Sequence, residues 1–441
     1  MRFEMENKRD TFKNRFGFIL ACIGSAVGMG NIWMFPYRVG ECGGAAFLIP
    51  YFIFVFVLGF AGVAGEMAFG RAMGAGSIGS FRKAAQMRGQ KWGGLVGFVP
   101  TVASLGIAIG YSVVVGWILK FLTGSFLGEL MKVQSEEYFG AIASNFGSVP
   151  WHMLALAVTF IIMIFGVSKG IEKVNKFLMP LFFGLFLILA IRVFFLDGSA
   201  EGYQFLLKPE WSMLAEPKTW IYALGQAFFS LSLAGCGTIV YGSYLKKEED
   251  IISCARNVAI FDTLAALLAA FVILPAVFAF GMDPSAGPPL MFITMPKVFQ
   301  QMPAGNVFCI IFFVAVFFAA ITSLINLFET PVEAVQEKFK VSRGVAVLIV
   351  ACVAVPIGLL IESGDTVSSW MDLFSIYLTP VGALLAAIMF FWVCPKGFAR
   401  QQVQMGREKM IGKWFEPMTK YVFVGLTIAV CVLGILFGGI G

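Results

Sequence analysis

Stretches of mostly apolar residues, each long enough to cross a membrane as a helix, recur from one end of the chain to the other. A helix needs about 20 such residues to span the hydrocarbon core, where its backbone groups must be hydrogen-bonded within the segment. Eleven stretches qualify, near residues 15–39, 44–70, 92–126, 150–168, 174–196, 219–245, 256–281, 303–337, 343–361, 369–394 and 417–439. Only 13% of the 441 residues are charged, which excludes a disordered chain, a nucleic-acid-binding protein and an ordinary cytosolic enzyme. The sequence therefore predicts an all-α membrane protein whose main partner is the lipid bilayer.

The positive charges predict which helix ends face the cytoplasm. Lysine and arginine concentrate before the first stretch, after the second and in alternate connections beyond it, for example at Arg82, Lys83, Lys246 and Lys247. Cytoplasmic connections of membrane proteins carry such an excess. Residues 1–14 are therefore predicted to form a cytoplasmic tail rather than a cleaved signal peptide, and the odd number of stretches places the C-terminus outside.

Two of the stretches are interrupted at mid-depth by glycine and small polar residues. The first contains Gly24, Gly28 and Gly30, and the sixth contains the small-residue segment 230–237. Glycine weakens a helix by about 1 kcal/mol relative to alanine, and backbone groups freed inside a bilayer need partners from protein, water or ligand. Close helix packing through small residues explains one such segment equally well. Two interruptions, each opening a half of five stretches, favour inverted repeats at 15–197 and 218–394 with a midplane binding site, followed by an eleventh helix at 417–439.

The residues around both interruptions form specific motifs. They are the block GSAVGMGNIWMFP at 24–36, the segment GQAFFSLSL at 225–233, and Tyr111, Thr322 and Ser323 between and after them. This series, which covers about residues 9–394, resembles the neurotransmitter:sodium symporter family. The resemblance implies the LeuT fold, with helices 1 and 6 broken, and a sodium-coupled secondary active symporter, not an enzyme, that imports an L-amino acid by alternating access. The eleven stretches are typical of bacterial members, which implies a multi-pass protein of the bacterial inner membrane.

The same resemblance implies how an amino acid is held. The charged groups of a zwitterion are costly to desolvate at the bilayer centre, and a broken helix offers free amide and carbonyl groups to them. The carboxylate is assigned to the amides of Met29 and Gly30, the Tyr111 hydroxyl and a sodium ion, and the ammonium to carbonyls of Ala26, Phe229 and Ser232. The remaining pocket residues implied are Ile107, Phe228, Ser230, Gly235, Ser323 and Leu327. Because relatives with aliphatic substrates have a bulky aromatic residue where Gly235 stands, we expect a large, aromatic substrate such as tyrosine; refilling of the space by Phe328 is the alternative.

Two sodium sites are implied by position, and sodium prefers oxygen ligands. The first takes the Ala26 carbonyl with Asn31, Ser230 and Asp262, and the second takes carbonyls of Gly24, Val27 and Ala319 with the hydroxyls of Thr322 and Ser323. Without the resemblance, Thr322 and Ser323 would be helix-packing residues that hydrogen-bond to the preceding turn.

Asp262 bears on whether chloride is needed. Chloride-dependent animal relatives have a neutral residue at the matching position, and some bacterial members have a glutamate at the position of Ala266. A carboxylate at Asp262, one turn earlier on the same helix face, is expected to replace the anion. A helix-capping aspartate is the alternative interpretation. The prediction is that chloride is not required.

Gates on both sides of the site are also implied. On the inside, Arg9 is expected to pair with Glu337, with Phe12 and Tyr244 nearby. On the outside, Asp372 usually pairs with an arginine at the position of Met34, so only the more distant Arg38 is left as a partner.

Two other functions are alternatives to sodium symport. A proton-coupled transporter of the same fold needs intramembrane titratable residues, and the candidates are His152, interpreted as an interfacial residue, with Asp262 and Glu66 as isolated carboxylates. An intramembrane enzyme needs converging catalytic side chains, which the spacing of Asp, His and Cys does not predict.

Overall fold

The computed structural model describes residues 11–233, 236–285 and 290–439, which fold into helices joined by short connections. Within these residues, eight helices are long and apolar enough to cross a membrane: Ala45–Met73, Gly93–Phe126, Val167–Phe194, Ile251–Ala279, Gly305–Phe339, Arg343–Leu360, Gly364–Val393 and Phe415–Phe437. A further span consists of Arg15–Ala26 and Gly30–Glu41, which are bent by 53°. The shorter helix Val149–Ile164 and the pair Pro217–Ser230 and Gly237–Ser243 complete the series.

These helices are numbered 1 to 11 along the chain, with halves 1a and 1b (Arg15–Ala26, Gly30–Glu41) and 6a and 6b (Pro217–Ser230, Gly237–Ser243). Each of the eleven predicted stretches coincides with one of them. The all-helical class is confirmed, and so are the two broken helices. The end of the bundle that carries the connecting helix Ser77–Gln86 is called the inner end here, because the sequence predicts it to face the cytoplasm.

Local chemistry explains where helix 1 begins and breaks. The Asn14 side chain caps helix 1a by accepting a hydrogen bond of 2.9 Å from the amide of Gly17. The backbone leaves the helical conformation at Val27, whose φ and ψ are −71° and 109°. It becomes helical again at Gly30, so the predicted glycine-rich interruption is the break itself.

Burial divides the bundle into a centre and a lipid-facing rim. Helices 3 and 8 pack along each other, helix 1a lies against helices 5 and 8, and both halves of helix 6 lie against helix 2. In helix 3, 89% of the apolar 18-residue stretch is buried. In helices 5, 9 and 11 the buried share of the corresponding stretch is only 28%. Apolar faces left uncovered on this scale are typical of contact with lipid. The two breaks therefore lie between the central helices.

The interpretation of His152 as an interfacial residue is wrong. Its side chain is fully buried, and its Nε2 lies 2.8 Å from the Ser112 hydroxyl of helix 3. Its Nδ1 lies 3.9 Å from the carboxylate of Glu362, which is also buried. The start of helix 4 is covered by helices 3 and 9, and a sequence motif near a helix end does not reveal such covering.

Candidate functional site

A cavity lies where the breaks of helices 1 and 6 meet helices 3 and 8. Its lining residues within the described part of the chain are Ser25, Ala26, Gly28, Met29, Gly30, Ser104, Ile107, Tyr111, Phe229, Ser230, Ser232, Ser323, Asn326 and Leu327. Most of the residues predicted to bind substrate are therefore brought together. Phe228 is buried but does not belong to this lining, and Gly235 lies outside the described residues.

Backbone groups at the break of helix 1 form one end of the cavity. The amide of Met29 donates a hydrogen bond of 3.2 Å to Oη of Tyr111, so the tyrosine hydroxyl stands beside a free helix end. The hydroxyl of Ser232, from the break of helix 6, donates to the carbonyl of Ser25 at 2.9 Å. Amide donors and carbonyl acceptors thus face the same space, which suits a carboxylate and an ammonium group together.

The residues predicted for the first sodium site form one buried cluster. Ser230 Oγ donates to the carboxylate oxygens of Asp262 at 2.9 and 2.8 Å, and Asn31 Nδ2 donates to Asp262 Oδ1 at 2.7 Å. Asp262 is fully buried in the interior of helix 7, whose N-cap is Asp250 instead. The interpretation of Asp262 as a helix cap is therefore wrong. An ionised carboxylate at such a position needs a compensating charge, and a cation supplies one.

Residues predicted for the second sodium site meet where helix 1a contacts helix 8. A Cβ atom added at Gly24 would lie 3.1 Å from Cβ of Thr322, so the two backbones approach closely only because Gly24 has no side chain. The Thr322 hydroxyl donates to the carbonyls of Phe318 and Ala319, both at 3.0 Å. Its proton is therefore directed along helix 8, and its lone pairs stay available for a cation.

Other polar residues at the site were missed by the sequence reasoning. Asn175 of helix 5 is fully buried, and its Oδ1 lies against Gly24 without a hydrogen-bond partner in the described residues. Ser104 and Asn326 line the cavity beyond Ile107 and Leu327. Ser104 and Asn326 could have been predicted from the sequence, because they lie one helical turn from the predicted site residues Ile107 and Ser323. Only the packing of helix 5 reveals Asn175.

Arg38, the weaker partner considered for Asp372, binds another carboxylate. Arg38 Nη1 binds Glu41 Oε2 at 2.8 Å, and its guanidinium lies 3.7 Å from the centre of the Tyr222 ring. In the described residues no ion pair includes Asp372, which is exposed. Arg38 is held by Glu41 because the two residues are three apart on the same helix face.

Aromatic rings cluster on this side of the bundle. Phe292, in the short π-helix Leu290–Thr294 before helix 8, lies 5.8 Å from the Trp33 ring and stacks on Phe139 with centroids 5.0 Å apart. The ion pair of Lys297 with Glu136 joins the same two connections, and the hydrogen bond from Lys297 lowers the pKa of Glu136. Aromatic contacts and this ion pair thus join the two connections on the side where Met34 replaces the usual arginine.

At the inner end, Glu337 of helix 8 pairs with Arg82 of the connecting helix Ser77–Gln86. Its second oxygen, Oε2, is buried without a hydrogen-bond partner in the described part of the chain. The predicted partner Arg9 lies outside the described residues. The hydroxyl of Tyr244, which is predicted to lie near this pair, donates a hydrogen bond to Glu329 at 2.8 Å. Phe12 packs beside it, with its ring 6.2 Å from that of Tyr244.

We expect Arg9→Ala to open the inner side and reduce transport. On the predicted pairing with Arg9, Glu337 would lose one of two cations and helix 1a would be held less firmly. The buried thiols of Cys22 and Cys254 would then react faster with an impermeant maleimide applied from the inner side. Labelling quantified by mass spectrometry should rise several-fold. Arg88→Ala is the control, because Arg88 binds carbonyls of Val393 and Cys394 and does not contact Glu337. Unchanged labelling of both cysteines would contradict a role of Arg9 in this gate.

Comparisons with known proteins bear on this site. The sequence profile of the sodium:neurotransmitter symporter family matches residues 9–141 and 140–440. An uncharacterized sodium-dependent transporter of Bacillus subtilis, YhdH, is 38% identical over 329 residues, which cover 74% of this chain and 72% of that protein. The sodium- and chloride-dependent GABA transporter 2 of Rattus norvegicus is 27% identical over an alignment of 489 positions, gaps included, which covers 98% of this chain and 80% of that protein. The crystal structure of MhsT in complex with L-phenylalanine matches with a TM-score of 0.86 and 34% identity, over 97% of this chain and 99% of MhsT.

Proposed function

The chain belongs to the sodium:neurotransmitter symporter family, and from that premise we propose that it imports an L-amino acid by symport with two sodium ions. It is a multi-pass membrane transporter with the LeuT fold that uses sodium, and it is not an enzyme. The observation that carries the proposal is the meeting of two helix breaks at one cavity beside two groups of buried oxygen atoms. Transport by alternating access would open this cavity to one side at a time.

Two sodium ions would supply the driving force. Each cation moved through 100 mV contributes about 2.3 kcal/mol, and each tenfold sodium gradient contributes about 1.4 kcal/mol. The clusters around Asp262 and Thr322 are the proposed places of the two ions. The first ion would also contact the substrate carboxylate, because Ser230 and Ala26 belong to both the cavity and the predicted sodium site. Binding of substrate and of sodium would thereby be coupled.

The proposed substrate is a large, aromatic L-amino acid such as tyrosine. Apolar side chains of Ile107, Phe229 and Leu327 line the cavity beyond the polar end. MhsT, which shares the fold at 34% identity, is a protein with L-phenylalanine bound. On sequence grounds alone, a glycine at position 235, where relatives with aliphatic substrates have a bulky aromatic residue, also supports a large substrate.

We propose further that transport is independent of chloride and that the protein lies in a bacterial inner membrane with its N-terminus in the cytoplasm and its C-terminus outside. Chloride independence is supported by the buried carboxylate of Asp262 at the first sodium site. The orientation is supported by the distribution of lysine and arginine.

Uptake in proteoliposomes with sodium and proton gradients imposed separately tests the proposal. We expect aromatic amino acids to accumulate with an inward sodium gradient and not with a proton gradient alone. The alternative is a proton-coupled transporter of the same fold. One observation favours it, namely the buried pair of His152 and Glu362. Accumulation driven by protons without sodium would establish the alternative and overturn sodium symport.

A further inference from the structure

The cavity has a second polar end that no predicted binding role uses. Tyr111, Ile107 and Ser104 lie on one face of helix 3, and Ser104 and Tyr111, seven positions apart, are separated by about 10 Å along the axis. Ser323 and Asn326 form the matching stripe on helix 8, and Ser104 Oγ donates to the carbonyl of Leu327 at 2.8 Å. The cavity thus runs between helices 3 and 8 from the break of helix 1 to Ser104 and Asn326.

Asn326 is the incompletely bonded group at this end. Its side chain is 3% exposed, and Oδ1 has no hydrogen-bond partner among the described residues. A buried polar atom without a partner is costly, and the great majority of such atoms in proteins are paired. The Ser104 hydroxyl already donates its proton to Leu327, so it does not donate to Asn326.

The first residue of helix 6b makes room for this amide. A Cβ atom added at Gly237 would lie 2.5 Å from Nδ2 and 3.0 Å from Oδ1 of Asn326. The amide therefore occupies space that only a glycine leaves open, directly beyond the break of helix 6. Between this amide and the polar end at Tyr111 the walls are the apolar Ile107, Phe229 and Leu327.

We propose that Asn326 selects substrates by accepting a hydrogen bond from a donor on the far edge of the substrate ring. This inference rests on the proposed function, in which the amino acid is large and aromatic. A ring lying between the apolar walls, with its carboxylate and ammonium at the helix breaks, directs its distal edge toward Asn326. The phenol of L-tyrosine and the indole N–H of L-tryptophan supply such a donor, and the phenyl ring of L-phenylalanine does not. A site with a buried hydrogen-bonding group discriminates strongly against a ligand that lacks the matching group.

Competition against sodium-driven uptake of radiolabelled L-tyrosine, in proteoliposomes of the full chain, tests this role. The competitors are tyrosine, 4-amino-phenylalanine, 4-fluoro-phenylalanine, phenylalanine and tryptophan. We expect the wild type to bind tyrosine and 4-amino-phenylalanine about tenfold more tightly than 4-fluoro-phenylalanine and phenylalanine. Equal affinity of the wild type for these four ring types overturns the inference without any variant.

The variant Asn326→Leu keeps the size of the side chain and removes the acceptor. We expect it to lower the preference for tyrosine over phenylalanine to about onefold, with phenylalanine affinity unchanged or increased. Asn306→Leu is the matched control, because Asn306 lies in the same helix, 20 residues or about 30 Å away, and it should keep the wild-type preference. A wild-type preference in Asn326→Leu overturns the inference and leaves the proposed function intact, whereas absence of sodium-driven uptake of every aromatic amino acid by the wild type overturns both.

Discussion

Replacing chloride by gluconate should leave sodium-driven uptake by the wild type unchanged, within about twofold, and should nearly abolish uptake by Asp262→Asn. The substitution keeps the shape of the side chain and removes its negative charge from a fully buried cluster. Asn31 and Ser230 contact this carboxylate and are both uncharged, so the variant would hold the first sodium ion by neutral oxygen atoms alone.

The expected size of this effect follows from electrostatics. Opposite unit charges about 4 Å apart attract by about 4 kcal/mol at an effective dielectric constant of about 20. Even half of that corresponds to about a thirtyfold change in sodium affinity, because about 1.4 kcal/mol is a factor of ten. Chloride entering the vacated position would restore part of this attraction, so added chloride should raise uptake by Asp262→Asn several-fold.

Two controls separate this effect from a general loss of charge. Asp283→Asn makes the same chemical change in an exposed connection, where Asp283 binds only Ser285 in the described residues, and it should show no response to chloride. Asp262→Asn combined with Ala266→Glu returns a carboxylate one turn further along the same face and should recover uptake in gluconate. Wild-type uptake that stops without chloride would contradict the charge assignment to Asp262.

The second large effect is expected for Thr322→Val, which should weaken sodium binding by about tenfold or more. Valine has nearly the shape of threonine, so the close contact with Gly24 is kept and the hydroxyl oxygen is lost. A buried group left without its partner costs about 1 to 3 kcal/mol, or roughly 5-fold to 150-fold in affinity. The sodium concentration for half-maximal substrate binding, measured by thermal shift in detergent, should increase accordingly.

Thr322→Ser is the matched control for this variant. It retains the hydroxyl and removes a methyl group, so its half-maximal sodium concentration should stay within about threefold of the wild type. Ser323→Ala should show a milder loss than Thr322→Val, because the contact of the Ser323 hydroxyl with the Ser25 carbonyl of helix 1a is long, at 3.5 Å. An unchanged sodium dependence of Thr322→Val would remove the second sodium site from helix 8.

Features that depend on local pattern were predictable from the sequence. Apolar stretches of spanning length predicted the helices, and the glycines around Gly28 predicted the break of helix 1. Both predictions are possible because backbone N–H and C=O groups inside a bilayer must be hydrogen-bonded within the protein, which few conformations allow. The motif residues Asn31, Ser230 and Asp262, which are far apart in the chain, were assigned to one site only by resemblance to a family.

Features that depend on which side chains meet across helices were decided by the tertiary structure. Arg38 binds Glu41 and lies against the Tyr222 ring, and the Tyr244 hydroxyl donates to Glu329. The residues before His152, Pro150 and Trp151, are typical of a membrane interface. The His152 side chain is nevertheless buried, because helices 3 and 9 cover it. A charged or polar side chain has several candidate partners at similar distances along the sequence. Only the packing of the helices determines which of them it contacts.

By itself, then, the sequence determined the number of helices, the two interruptions and the chemistry available at them, since hydropathy and glycine content act within a single segment. Only the tertiary structure decided that Asn175 stands beside Gly24, that aromatic rings of separate segments cluster around Phe292, and that Asn326 lines the cavity while its Oδ1 is buried without a partner among the described residues. The physical reason is that burial and hydrogen-bond satisfaction are properties of contacts between segments, and those contacts exist only after the helices have packed.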